Sequence, residues 1–191
     1  MKIPDALFHY TIGPKLSKVA LSGRLLPANI GTPFPDKEKP VLWWSANSSW
    51  EPTATKLLTM DGGRTVIRPT LEILNRDFGA YRFRLDTRNP RALHEVGLKL
   101  LPWARMGLAA RISADCVARM VAAGLDMGAK PIDWWGCLEA VPTSLEVSGL
   151  LRLERLMGPT WVAVEGGLSR EVQRLASRQP DPTTASTGAP S

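Results

Sequence analysis

The chain has 191 residues, 44% hydrophobic and 22% charged, with a formal net charge of +6 at pH 7. This is ordinary globular composition, and no run reaches the about 18 to 20 apolar residues of a membrane span. The basic balance favours anionic partners, whether nucleic acid, a phosphate-rich ligand or an acidic surface, although Lys and Arg are spread along the chain rather than massed in a block.

The opening "MKIPDALFHY" lacks the apolar core of a secretory signal, which leads us to expect a cytoplasmic protein. Residues 7–11 read as a short strand of aromatic and β-branched residues, carrying His9, one of two histidines in the chain. In "PKLSKVALSG", Pro14 suits a first helical turn, Leu16, Val19 and Ala20 recur at helical spacing, and Gly23 suits the position after the last turn. "RLLPA" is expected to be extended, and "GTPFPDKEKP" to be a loop. "VLWWSA" is the strongest strand signal, and alternation sends Trp43 and Trp44 to opposite faces, with Ser45 on the side of Trp43. One of the two tryptophans is therefore expected in the core.

"NSSWEPTATKLL" reads as a capped helix start, with Ser48 or Ser49 as the cap and Glu51 compensating the dipole ahead of Pro52. "GAYRFRLD" alternates Tyr81, Phe83 and Leu85 against Arg82 and Arg84, a strand with one buried and one basic face. Residues 102–123 are predicted helical, with Ser113 able to cap a second piece and Gly124 as the stop. Residues 134–142, "WWGCLEAVP", and "TWVAVEGG" are the last predicted strands, and residues 178–191 have the composition of a disordered tail. No regular βαβ alternation occurs, so residues 1–177 are expected to form one α+β domain with a split, mostly antiparallel mixed sheet and short flanking helices.

Familiar site motifs are missing. The sequence has no Walker-type loop, no G-x-G-x-x-G after a strand, no G-x-S-x-G elbow and no H-E-x-x-H. Cys116 and Cys137 lack C-x-x-C spacing, which argues against a structural zinc site and a disulfide framework. The polar groups on predicted strands are few: His9, Thr11, Ser45, Glu139 and Glu165. Continuous alternation through the 134–142 strand would put Glu139 on the face of Cys137 and Val141, where a carboxylate needs a salt-bridge partner or a function.

"FHYT", a short helix, "SGRLLP", a loop and "VLWWSAN" ahead of a Ser-led helix resemble the NAD-binding front of the ADP-ribosyltransferase superfamily, over about fifty residues from Leu7 to Lys56. Poly(ADP-ribose) polymerase-like domains begin with His-Gly-Ser/Thr, follow with an Ile/Leu-x-x-Gly-Leu helix end and a Gly-x-Tyr-Phe-Ala strand, and continue into a serine-rich helix start. The resemblance implies that His9 holds a ribose hydroxyl and that Tyr10, standing where the family has glycine, clamps the nicotinamide amide through its backbone. It further implies that Thr11 takes the Ser/Thr position, and that Trp43 or Trp44, with Ser45, forms the aromatic strand of the site. A glutamate on a later strand binds the reacting ribose in that family, and by context Glu139 is the candidate here.

NAD would then be the substrate, with ADP-ribose passed to a protein or nucleic-acid acceptor, or to water, as by a bacterial or phage effector. The residue types suit that chemistry: a carboxylate stabilises charge building on the sugar, and an indole suits a flat cationic ring. His9 equally reads as a core-edge histidine bonded to a backbone carbonyl, and Glu139 as half of a salt bridge. The rival function is a non-catalytic module holding single-stranded nucleic acid on the basic "RFR" face and exposed tryptophans.

Overall fold

The computed structural model describes residues 2–27, 38–55, 58–60 and 65–177. The predicted tail, most of the "GTPFPDKEKP" loop and Lys56 lie outside them. Strand β1 (Ala6–Ile12) runs straight into helix α1 (Gly13–Ser22), as its composition predicts. Pro14 sits in the first turn, Leu16 points into the core, and Gly23 closes the helix at φ 64°, a left-handed conformation that costs glycine little. Next come β2 (Arg24–Leu25), β3 (Leu42–Ser45), β4 (Leu58–Met60), β5 (Thr65–Ile67), α2 (Leu71–Phe78) and β6 (Ala80–Asp86). The remaining elements are α3 (Pro90–Glu95), β7 (Leu101–Pro102), α4 (Trp103–Ala109), α5 (Ala114–Asp126), β8 (Trp134–Cys137), β9 (Val141–Pro142), β10 (Leu151–Met157), β11 (Thr160–Ala163) and α6 (Gly167–Ala176).

Seven strands form the main sheet in the order β11-β10-β6-β1-β3-β8-β7, and β2-β9 and β4-β5 form two small ribbons. The molecule is an α+β domain, as expected, and every pairing among the described residues is antiparallel, where the sequence reading expects a mixed sheet. In the centre Leu7, His9 and Thr11 of β1 stand beside Leu85, Phe83 and Tyr81 of β6 on one face. That face builds the larger core, with Leu153 and Leu151 of β10, Trp44, Trp135, Leu16 of α1 and Leu168 of α6. On the other face a second core gathers Val41, Trp103, Met106 and Trp134 under α4 and α5.

The chain departs from the sequence expectations at four places. Residues after "NSSW" form only a single 3-10 turn, Pro52–Ala54, whose cap is Glu51 rather than a serine. Thr53 within it and Thr55 after it are β-branched and disfavour a continuing helix. Residues 102–123 divide into α4 and α5 with Ser113 capping the second as expected, 3.2 Å from the Cys116 amide, but α5 passes Gly124 to reach Asp126. The "RFR" face is not open: Arg82 is buried and ion-paired to Glu154 at 2.6 Å, and Arg84 is half-buried. Finally, the 134–142 strand breaks after Cys137, so that β8 pairs with β3 while β9 turns away to pair with β2.

Candidate functional site

Strand β1 meets β3 at one pair, Phe8 opposite Ser45; beyond it, among the described residues, the two strands make no further pairing. A strand backbone that loses its partner must be satisfied in other ways or open to solvent. Here the side chain of His9 crosses the gap, its Nδ1 donating to the carbonyl of Trp43 at 2.8 Å. Since a carbonyl can only accept, the bond places a proton on Nδ1, and in the neutral ring Nε2 is then the acceptor atom.

A cavity of ≈ 560 Å³ occupies this opening. Its walls include residues 8–12 of β1 and Trp43, Trp44 and Ser45 of β3, so His9, Tyr10, Thr11, Trp43, Trp44 and Ser45 all line one space. Helix α5 covers one side with Met120, Ala123 and Gly124, while Lys15 of α1 and Leu74 of α2 stand at another. Gly124 is required by close approach: a Cβ there would stand 2.3 Å from Cη2 of Trp134, which also lines the cavity. The size is that of ordinary small-molecule sites, which are mostly apolar with a few placed polar groups.

The two tryptophans divide as alternation requires. Trp44 is buried in the larger core with its ring edge-on to His9 at 5.8 Å, whereas Trp43 is half-buried and packs on Trp103 at 5.2 Å. Tyr10 is buried, and burial pushes its phenol up to about 12, so it stays protonated at neutral pH. Burial likewise pushes Cys137 up to about 12, which leaves an inert thiol, and neither Cys137 nor Cys116 is in a disulfide.

The carboxylate of this cavity is Glu51. It is 6% exposed, and four donors hold it: Ser45 Oγ at 2.8 Å on Oε2, and Trp134 Nε1 at 3.1 Å, Thr53 Oγ1 at 2.8 Å and the Thr53 amide at 3.3 Å on Oε1. Oε1 therefore carries three bonds and Oε2 one, so the oxygen with remaining acceptor capacity is the one beside Ser45. The sequence assigns Glu51 to a helix dipole. Its cap position is the signal that points further, because a capping side chain folds back over the turn it caps, here toward the end of β3.

Glu139 lies elsewhere. The break after Cys137 places it in an exposed bend between β8 and β9, and it does not line the cavity. Strand alternation cannot carry it inward because the strand has ended. Glu165 falls in the turn before α6 and is also exposed. Among the described residues no helix is long and apolar enough to cross a membrane, and no group of His, Cys, Asp and Glu could hold a metal ion. Compared with protein-family models, curated proteins and solved structures, the chain matches none.

Proposed function

We propose that the cavity between β1 and β3 binds NAD and breaks its bond from nicotinamide to ribose, passing ADP-ribose to a macromolecular acceptor or to water. One observation carries this reading: six residues singled out by the resemblance line a single cavity, and a buried, multiply held carboxylate lines it with them. Glu51 takes the part that sequence context gives to Glu139. Cleavage of the nicotinamide–ribose bond builds positive charge on the sugar, and a fixed carboxylate stabilises that charge most where it is greatest, in the transition state. Four donors already orient Glu51, so little reorganisation accompanies the step.

We assign His9 an orienting role, since its Nδ1 bond to the Trp43 carbonyl fixes the ring in the cavity wall. Trp43 offers an aromatic face for the nicotinamide ring. Burial of Arg82 against Glu154 counts against the nucleic-acid reading, which asks for an open basic face.

The test is nicotinamide release from NAD by the purified chain, with and without cell extract as a source of acceptor. Glu51→Gln is expected to lower release by at least about a hundredfold, His9→Ala by about tenfold or more, and Glu139→Gln to leave it near the parent rate. Release that survives Glu51→Gln and disappears in Glu139→Gln would return the carboxylate role to the exposed bend. No release from folded parent protein under any condition sinks the reading.

A further inference from the structure

Glu51 is reached through residues 47–50, which leave the end of β3 and cross the sheet on the side of Phe8 and Tyr10. Three side chains from three different strands hold three consecutive carbonyls of that stretch. The Tyr10 hydroxyl of β1 donates to the carbonyl of Asn47, the Arg82 guanidinium of β6 to that of Ser48, and the Trp161 indole of β11 to that of Ser49 at 2.8 Å. The three donors are mutually packed. The Arg82 guanidinium lies over the rings of Phe8 and Trp161, at 4.1 and 4.6 Å from their centroids, and the Tyr10 and Trp161 rings stand 5.7 Å apart. Arg82 is itself fixed by Glu154, which its Nε and Nη2 both reach at 2.6 Å. From the other direction, Ser45 Oγ accepts from the Asn47 amide at 3.1 Å while donating to Glu51.

We propose that Tyr10, Arg82 and Trp161 are positioning residues: by holding the carbonyls of Asn47, Ser48 and Ser49 they set where the Glu51 carboxylate stands in the cavity. A segment without regular structure has many conformations, and fixing consecutive peptide planes removes most of them. An ion pair out of water contributes little net stability compared with an apolar replacement, yet it gives a single geometry when every donor is used. Arg82 commits its fork to Glu154 and its remaining arm to Ser48, an arrangement that lysine, with one point charge, cannot reproduce. The consequence for chemistry rests on the reading of Glu51 as the reacting carboxylate; the positioning itself does not.

The experiment uses the full chain. Removing Arg82 leaves Glu154 buried without a partner and risks the fold, so the informative variants are Tyr10→Phe and Trp161→Phe, which delete one donor each and keep an aromatic ring. Amide hydrogen exchange over residues 47–53 and the indole N–H resonance of Trp134, which contacts Glu51, are followed alongside nicotinamide release. Each variant is expected to fold, to speed exchange at 47–53 by about tenfold or more, and to shift the Trp134 indole, with strands β6 and β10 unchanged. Release should fall in kcat with KM nearly constant, the pattern of an interaction that matters in the transition state.

Unchanged exchange at 47–53 and an unmoved Trp134 indole overturn the proposal, as does acceleration spread evenly over the whole chain. A shifted indole with undiminished kcat in an active parent overturns the link to chemistry. If the parent releases no nicotinamide while the local changes occur, the positioning stands and the NAD reading alone falls.

Discussion

On its β6 side β1 is paired residue for residue, from Ala6 opposite Asp86 to Ile12 opposite Ala80, whereas on its β3 side it keeps Phe8 opposite Ser45 and then lets go. Both sides belong to the middle of a seven-stranded sheet, so the open one is not a frayed edge. Strand β3 is held beyond it by β8 through the register Leu42–Cys137 to Ser45–Trp134. The two sides of β1 thus separate two tasks. Toward β6 the backbone ladder and the fully buried Leu7, Phe83 and Leu85 hold the fold together. Toward β3 the ladder gives way to a side-chain bond from His9 and to a cavity walled by both strands. A gap between two well-anchored strands can stay open because neither can move to close it.

That division places the largest effects on stability on the paired side. Phe83→Ala, which empties a fully buried site between β1 and β10, should lower the unfolding free energy by about 3–5 kcal/mol, read from urea denaturation. A cost below about 1 kcal/mol would mean that the ladder side does not carry the stability assigned to it.

A smaller effect, differently placed, is expected from Gly124→Ala in the wall of the cavity. The added methyl would stand 2.3 Å from Cη2 and 2.5 Å from Cζ2 of Trp134, so that ring must shift or α5 must rise. Overpacking of this kind costs about 1–3 kcal/mol. The more telling readout is local: the Trp134 indole should lose its bond to Glu51, and nicotinamide release should fall further than stability accounts for. A variant in which Trp134 is unmoved would show the cavity wall to be looser than its geometry requires.

The same contrast explains what can be read from the sequence. Strand β1, helix α1 and the faces of β3 and β6 follow from period-2 alternation, Pro14 and Gly23, which are local signals. The six residues of the resemblance are also legible, and the structure puts them around one cavity. Arg82 is not, because alternation reports only which face a residue takes; Glu154, 72 residues later in β10, turns that face inward, and nothing local announces it. Glu139 and Glu51 trade places for a related reason. Alternation buries Glu139 only if the strand continues past Cys137, and it does not. A helix dipole would leave Glu51 at the surface, but the segment is a 3-10 turn that folds the carboxylate inward. Where the chain stops obeying a period, the side-chain directions drawn from that period fail with it.

The smallest expected effect sits at the outer end of the paired side, where Asp86 faces Ala6. Hydrogen bonds from Arg88 hold the Asp86 carboxyl down at about 2, below its ordinary 3.8. Because the folded value is depressed, the carboxylate form favours the folded state. Its contribution is present above about 3.8 and is lost as pH falls through about 2, below which both states bind the proton. Arg88 is largely exposed, and water screens the pair, so the contribution is minor even at neutral pH. Urea midpoints for Asp86→Asn should therefore lie slightly below the parent at neutral pH and converge with it across that acidic window. The cavity should not notice: Asp86 lies outside its lining, so nicotinamide release by the variant should match the parent wherever both are folded. Loss of release in Asp86→Asn would show that the two sides of β1 are coupled along its length, which the single pair between β1 and β3 argues against.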